Sequence, residues 1–122
     1  MNRAAKRAIA VLDTALARTG ELIKIARLHD APGGDQVAFY CENIPAKVTL
    51  VQPQEIVANL PDSVVVISPT QLKARQWAQP PRRDDRMWIT DANGHVITCN
   101  IETVTQRRVG GSVVRYEMTV KS

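Results

Sequence analysis

Residues 87–121, MWITDANGHVITCNIETVTQRRVGGSVVRYEMTVK, contain the pattern that decides the fold. Two turn signals, Asn93-Gly94 and Gly110-Gly111, divide this stretch, and Asn-Gly is the strongest short-range hairpin signal. In the last segment the apolar residues alternate with polar ones; they are Val114, Tyr116, Met118 and Val120. This alternation is typical of a strand with one buried and one solvated face. The stretch therefore predicts antiparallel strands at 87–90 and 95–104, and a final strand after Gly111.

The N-terminal part predicts one amphipathic helix over residues 3–18. Asn2 is suited to cap its start and Gly20 to end it, and Arg18 lies in the last turn, where the helix dipole favours a cation. The apolar stripe contains Ala5, Ala8, Ile9, Leu12, Ala15 and Leu16, and the opposite face contains Arg3, Arg7, Thr14 and Arg18. That basic face is either simply solvated or in contact with a partner or DNA.

After Gly20 the apolar period changes from helical to two, which predicts further strands. They are expected at 22–28, 36–42, 46–50 and 63–68, with turn residues at 30–35. The unbroken run Val64-Val65-Val66-Ile67 predicts that the strand at 63–68 is covered on both faces.

Two further segments complete the pattern. Ser68-Pro69-Thr70-Gln71 is typical of a helix start, so a short helix is predicted over 69–77, before Pro80-Pro81. Residues 52–61 lack strand alternation and are bounded by Pro53 and Pro61, which predicts a loop or a short helical turn.

Length and composition predict a single domain over residues 1–122, since 44% of the 122 residues are apolar. The N-terminal helix would occupy 1–20 and a barrel-like core 21–122. The predicted fold class is mainly β with an N-terminal α-helix (α+β), a small antiparallel β-barrel or sandwich packed by that helix.

Charge and cysteine content narrow the setting. The chain has 16 basic and 12 acidic residues, and its net charge of +4 is compatible with a position near DNA. The basic residues do not form the concentrated stripe that is typical of a dedicated DNA-binding protein. Cys41 and Cys99 are predicted to be reduced, core-filling thiols of a cytosolic product. The apolar run at 8–12 is stopped by Asp13, so neither a secretory signal nor a membrane span is predicted.

The sequence predicts no catalytic, cofactor or metal site. His29, Cys41, His95 and Cys99 do not form a close zinc-ligand pair, and Ser68 is explained as a helix cap. Asp84-Asp85 lie between Arg83 and Arg86, which predicts ionised, charge-paired carboxylates that would not donate a proton. The double glycines are turn residues, because neither opens a helix as a phosphate-binding loop must.

Aromatic residues leave nucleic-acid binding open as an alternative. A sheet that binds bases needs exposed aromatic side chains, and Trp88 and Tyr40 could stack with them. Tyr116 belongs to the apolar series of its strand. Burial in the core or in a subunit contact is the favoured prediction for all three.

Several segments resemble the head–tail joining or head-closure (stopper) proteins of tailed phages and prophage-derived particles. They are PPRRDDRMWI at 80–89, NGHVI at 93–97, RRVGGSVVRY at 107–116 and VISPTQL at 66–72. A helix leading directly into strands fits the same family. The sequence departs from the family at Asp84-Asp85-Arg86, where relatives often have Gly-Asp-Arg, so a left-handed turn residue is expected to be missing.

The resemblance implies a structural virion protein without enzymatic activity. Such proteins form a homo-oligomeric ring in the neck, between the portal or adaptor and the tail or tail terminator, and some retain the packaged double-stranded DNA. The expected location is the virion neck, with assembly in the host cytoplasm and no membrane partner. A tail-terminator subunit and a small basic nucleic-acid-binding barrel remain the alternatives.

Two sets of residues are the predicted contacts. The partner-facing set contains Arg82, Arg83, Arg86, Trp88, Arg107, Arg108, Gln54 and Glu55. The DNA-facing set contains Arg3, Arg7 and Arg18. Arg82, Arg83 and Arg86 form a dense patch beside a stiff double proline, which suits docking by charge complementarity.

Overall fold

The chain forms a closed antiparallel barrel in a computed structural model, which describes residues 1–29, 36–50, 63–74, 77, 80–90 and 93–122. The elements are α1 (Arg3–Thr19), β1 (Glu21–His29), β2 (Gln36–Leu50), β3 (Ser63–Ile67), α2 (Pro69–Ala74), β4 (Arg86–Thr90), β5 (Val96–Val109) and β6 (Ser112–Lys121). The strand order around the barrel is β1-β2-β3-β6-β5-β4. The predicted mainly β fold with an N-terminal helix is confirmed, and the architecture is the barrel.

Both C-terminal hairpins form where the turn signals indicate. β5 and β6 are joined by Gly110 (φ 57°) and Gly111 (φ 81°), so both turn residues are left-handed, as a two-residue hairpin turn of this hand requires. β4 pairs with β5 from Arg86↔Asn100 to Thr90↔Val96. This meander forms half of the barrel.

Pairings between distant segments close the barrel. β1 pairs with β4 through Lys24↔Trp88, Ile25↔Met87 and Ala26↔Arg86. β3 pairs with both β2 and β6. The N-terminal and C-terminal parts of the sheet are therefore joined along two seams.

The prediction of separate strands at 36–42 and 46–50 is wrong, because β2 is continuous from Gln36 to Leu50. The register moves from Ile23↔Ile44 to Ile25↔Cys41, which places two residues of β2 opposite Lys24. Asn43 lies in this β-bulge with φ 56°, a left-handed conformation that asparagine tolerates. The bulge interrupts the alternation without ending the strand.

One other boundary and one burial pattern also differ from expectation. β3 is covered on one face only, because Val65 and Ile67 are fully buried while Val64 is 37% exposed. The described helix α2 ends at Ala74, and Trp77, whose N–H donates to the Leu72 carbonyl (2.9 Å), is not helical. The predicted turn at 30–35 and loop at 52–61 lie outside the described residues.

The barrel interior is filled almost entirely by aliphatic and sulfur-containing side chains. Its fully buried large members are Ile23, Ile25, Ile44, Ile67, Met87, Ile89, Ile101, Met118, Val65, Val120, Cys41 and Cys99. Cys41 and Cys99 are both buried, which confirms their prediction as core-filling residues.

Helix α1 packs against β6, β2 and β5. The Asn2 side-chain oxygen accepts a hydrogen bond from the Ala5 N–H (2.7 Å), which confirms the predicted N-cap. Gly20 ends the helix, but with φ −77° it does not adopt the left-handed C′ conformation. Glycine is required there because a Cβ would collide with the Leu16 carbonyl oxygen and come within 2.9 Å of the Ala46 carbonyl oxygen.

Candidate docking surfaces

An apolar groove of about 660 Å³ lies between α1 and the β5–β6 hairpin, and we call it the helix–hairpin groove. Its apolar lining consists of Ala4, Ala8, Val11, Leu12, Ala15, Val109 and Val114. Its basic lining consists of Arg7, Arg107, Arg108 and Arg115. Val11 is 64% exposed, so the groove is open to solvent.

The groove contains residues that the sequence pattern had assigned to the core. Ala15 is exposed and Ala8 is only half-buried, whereas Ala5 and Leu16 face the barrel. The helix therefore has two neighbouring apolar stripes rather than one. Ala4, Ala8, Val11 and Ala15 form the second stripe, and their alternating spacing of four and three residues is the signal that could have revealed it.

Charged groups on the hairpin make the groove basic. Glu117 pairs with Arg107 (Oε2–Nη2, 3.2 Å) and with Arg115 (Oε1–Nη2, 2.6 Å). The hydrogen bond from Arg107, followed by the attraction of both arginines, lowers the pKa of Glu117 below its ordinary value despite an opposing desolvation effect. Glu117 thus neutralises part of the charge of two of the four arginines that line the groove.

Arg108 is held in place at the turn of the hairpin. Its guanidinium donates to the Gln106 side-chain oxygen (2.7 Å) and to the Gly111 carbonyl (3.0 Å). Burial raises the pKa of Tyr116, and the positive charge of Arg108 partly opposes this effect. Within the described part of the chain, neither Arg7 nor Arg108 forms an ion pair, so their charges remain available to a partner.

Replacing Glu117 with glutamine should lower the free energy of unfolding by about 0.2–1 kcal/mol at neutral pH, as expected for solvent-screened ion pairs. Because the folded pKa is lowered, this stabilisation is present above the unfolded pKa and lost as the pH falls through the folded value. Urea unfolding of the two proteins should differ at neutral pH and converge in acid. A difference that persists in acid would contradict the assignment.

A second surface surrounds the turn before β4 and is organised by a buried ion pair. Arg27 Nε donates to Asp85 Oδ1 (2.9 Å) and Arg27 Nη2 to Asp85 Oδ2 (2.9 Å), and both residues are less than 5% exposed. The prediction that Asp85 pairs with its neighbouring arginines is therefore wrong. Arg27 follows Ile23 and Ile25 in the inward phase of β1, and this phase was the signal that sequence reasoning missed.

The ion pair fixes the backbone of the turn. Arg27 Nη2 also donates to the Pro80 carbonyl (3.0 Å), and the guanidinium lies 5.4 Å from the centroid of the Trp77 ring. Asp85 Oδ2 accepts a further hydrogen bond from the Arg82 N–H (3.0 Å). Residues 80–85 are thus attached to β1, 53 to 58 residues away in the sequence.

The attached segment presents Arg82 and Arg83 to solvent, and we call it the arginine turn (residues 80–86). Both side chains are exposed, and Arg86 is half-buried at the start of β4. Among the described residues, none of the three forms an ion pair. Three of the five arginines that were predicted to contact a partner therefore lie on this turn.

Asp84 adopts a left-handed conformation (φ 73°), for which this turn was expected to lack a suitable residue. The expectation that this residue is missing is wrong, because aspartate is one of the few side chains that tolerate the conformation. The Asp84 N–H still donates to the Ile101 carbonyl (2.9 Å), which connects the turn to β5.

Replacing Asp84 with valine should lower the free energy of unfolding by about 1–2 kcal/mol, because a β-branched residue is strained at positive φ. Glycine at the same position should match or slightly exceed the stability of the wild type. Urea unfolding of the two variants provides the measurement. Equal losses in both would show that the Asp84 side chain, rather than the backbone conformation, matters.

Two aromatic residues lie on the outer surface of the barrel beside this turn. Trp88 alternates with the buried Met87 and Ile89 and is half-buried on the outside. Tyr40 is 49% exposed, so it does not lie in the core, and its burial in a subunit contact stays a prediction; its hydroxyl donates to Glu42 (3.2 Å). We call Tyr40, Trp88, Lys24 and Arg86 the aromatic face. Tyr116 is buried, as predicted.

The remaining predicted residues lie apart from these surfaces or outside the described structure. Arg3 and Arg18 are exposed on α1. Arg7, predicted to face DNA, instead shares the helix–hairpin groove with Arg107 and Arg108, which were predicted to face a partner. Gln54 and Glu55 lie outside the described residues.

Over the described ranges, no three His, Cys, Asp or Glu residues are close enough to bind a metal ion together. The helices described here are also too short or too polar to cross a membrane. The fold and surfaces together define a small closed-barrel protein with a helix docked on its final hairpin. Comparison with protein-family models, curated proteins and solved structures finds no match to this chain.

Proposed function

We propose that this chain is a structural protein of the neck of a tailed phage or prophage-derived particle. It docks as a homo-oligomeric ring between the portal or adaptor and the tail, joins head to tail without catalysing a reaction, and helps to retain packaged DNA. The observation that carries the proposal is the presence of two separate docking surfaces, the helix–hairpin groove and the arginine turn.

A ring subunit in this position needs contacts with its neighbours in the ring and with the layers on either side. The helix–hairpin groove is built from α1, β5 and β6, whereas the arginine turn and the aromatic face are built around β1, β2 and β4. Different strands of one rigid barrel thus support different contacts. Charged surfaces of this kind favour fast and specific association.

The segments that resemble neck proteins are also the segments that build these surfaces. Residues 80–89 form the arginine turn and most of β4, and residues 107–116 form the end of the β5–β6 hairpin that borders the groove. This coincidence supports a docking role, because the resemblance rests on sequence segments whereas the surfaces are defined by the exposure and burial of side chains.

The exposed arginines of α1 support the part of the proposal that concerns DNA. Arg3, Arg7 and Arg18 are all exposed on a helix whose other side packs on the barrel. If α1 borders the channel, Arg3 and Arg18 would contact phosphates without reading sequence, whereas Arg7 lies in the helix–hairpin groove. In this proposal the protein is located in the virion neck.

Deletion of the gene from the phage or prophage, followed by negative-stain microscopy, tests the proposal. Filled or leaking heads beside finished, unattached tails are the expected result, and the wild-type gene supplied in trans should restore joined particles. Overlong or defective tails would instead indicate a tail-terminator subunit. Normal particles would overturn a neck role altogether.

The aromatic face favours a second candidate function, binding of single-stranded nucleic acid. Tyr40 and Trp88 lie beside Lys24 and Arg86 on one outer surface, and aromatic side chains next to cations are suited to stacking bases. Titration with oligonucleotides should then show binding that weakens steeply with salt and falls about tenfold in Trp88→Ala. A flat titration at low salt would remove this candidate.

A further inference from the structure

We propose that the helix–hairpin groove binds an acidic amphipathic helix of a partner protein. This inference rests on the proposed docking role and specifies the chemistry of the partner at one surface. It is carried by the shape of the groove, by its apolar floor and by its arginines.

The shape of the groove fits a helix. The lining residues of α1 extend from Ala4 to Ala15, which corresponds to about 16 Å or three helical turns. Ala4, Ala8, Val11 and Ala15 follow the alternating spacing with which one helix packs against another, and their small side chains allow a close approach. A helix of about three turns would therefore cover the exposed Val11 by the helix-in-groove mode.

The charges around the groove fit an acidic partner. Arg7, Arg107, Arg108 and Arg115 line it, and Glu117 forms its ion pairs within the described ranges with Arg107 and Arg115. A partner helix with leucines on one side and glutamates along its flanks would place apolar groups on the alanine floor. Its carboxylates would meet Arg7 and Arg108, which lack ion pairs within the described structure.

The same features disfavour other occupants. The α1 helix of a second copy carries Arg3, Lys6, Arg7 and Arg18 with a single acid, Asp13, so pairing of two such helices would bring like charges together. Duplex DNA would satisfy the arginines but would leave the apolar floor uncovered, because DNA contacts proteins mainly through phosphates. The combination of apolar floor and basic lining therefore points to an acidic protein segment.

Fluorescence anisotropy with the purified full chain tests this inference. The probe is a labelled peptide of about 15 residues, with leucines at alternating spacings of three and four, glutamates along the flanks of that apolar side, and alanine and glutamine elsewhere to keep it helical. We expect binding in the range of about 1–100 μM, as for modest helix-in-groove contacts. Arg7→Glu and Val11→Asp should each weaken binding by about tenfold or more. Arg83→Glu, which changes the net charge by the same amount as Arg7→Glu, should have little effect.

The controls separate specific docking from general attraction. A scrambled peptide of the same composition should bind at least about tenfold more weakly, because it has acidic charge but no apolar side. Equal binding of the scrambled peptide, equal losses in Arg7→Glu and Arg83→Glu, or displacement of the probe by duplex DNA would each overturn the inference. Self-association that Val11→Asp abolishes, with no peptide binding, would also overturn it in favour of a second copy. These outcomes use no virus particle, so they are distinguishable from failure of the neck role.

Discussion

Replacing Asp85 with alanine should lower the free energy of unfolding by about 3–5 kcal/mol, a large share of the stability of a small domain. The cause is that Arg27, which is only 4% exposed, would keep its charge in the interior without the bidentate carboxylate. The hydrogen bond from the Arg82 N–H would be lost as well. Chemical unfolding followed by circular dichroism provides the measurement.

Two comparisons make this prediction specific. Asp84→Asn removes the same charge one residue away, on an exposed side chain that tolerates the left-handed conformation, and should change stability by less than about 0.5 kcal/mol. The double variant Arg27→Met with Asp85→Leu should recover most of the stability, because two apolar side chains leave no uncompensated charge. A loss of less than about 1 kcal/mol in Asp85→Ala would show that water solvates Arg27 after all.

Replacing Ile25 with alanine should lower the free energy of unfolding by about 2–5 kcal/mol. Ile25 is fully buried and lies between Cys41 of β2 and Met87 of β4 along the seam that closes the barrel. Loss of its side chain would leave a cavity that stiff neighbouring strands cannot fill by moving together. The free energy of unfolding in urea measures the effect.

The matched control is on the same strand. Leu22 is 62% exposed, so Leu22→Ala should change stability by less than about 1 kcal/mol although it removes a side chain of the same size. Ile25→Val, which removes one methylene group, should lie between the two at about 0.5–1.5 kcal/mol. Similar effects of Leu22→Ala and Ile25→Ala would mean that Ile25 does not face the barrel interior.

Local signals predicted the two C-terminal hairpins, although β5 continues to Val109, beyond the predicted end at 104. The alternation in β6, the double glycine at 110–111 and the Asn-Gly turn each act within a few residues, and the structure places hairpins at both turns. The seam between β1 and β4 could not be predicted in this way. Ile25 and Met87 have no local relation that could indicate their pairing, and only the closure of the sheet brings them together.

The candidate sites show the same division. The exposure of Arg82 and Arg83 could be predicted from the composition of the segment and from the double proline. The partner of Asp85 lies on β1 and could not be predicted from the residues next to Asp85 in the sequence. Likewise, the bulge at Asn43 depends on the register between β1 and β2, so a change of phase in the sequence was interpreted as the end of a strand. The proximity of Arg7 to Arg107 and Arg108 could not be predicted without the position of α1 on the barrel.

The docking of α1 on β6 also determines when the chain can fold. α1 precedes every strand in the sequence and β6 follows them all, while β6 is also the strand that connects β3 to β5. A nascent chain that has not reached Ser112 would have neither the neighbour of β3 nor the support of the helix. The barrel should therefore close only once β6 has left the ribosome, and ribosome-bound chains stalled before β6 should remain sensitive to proteases.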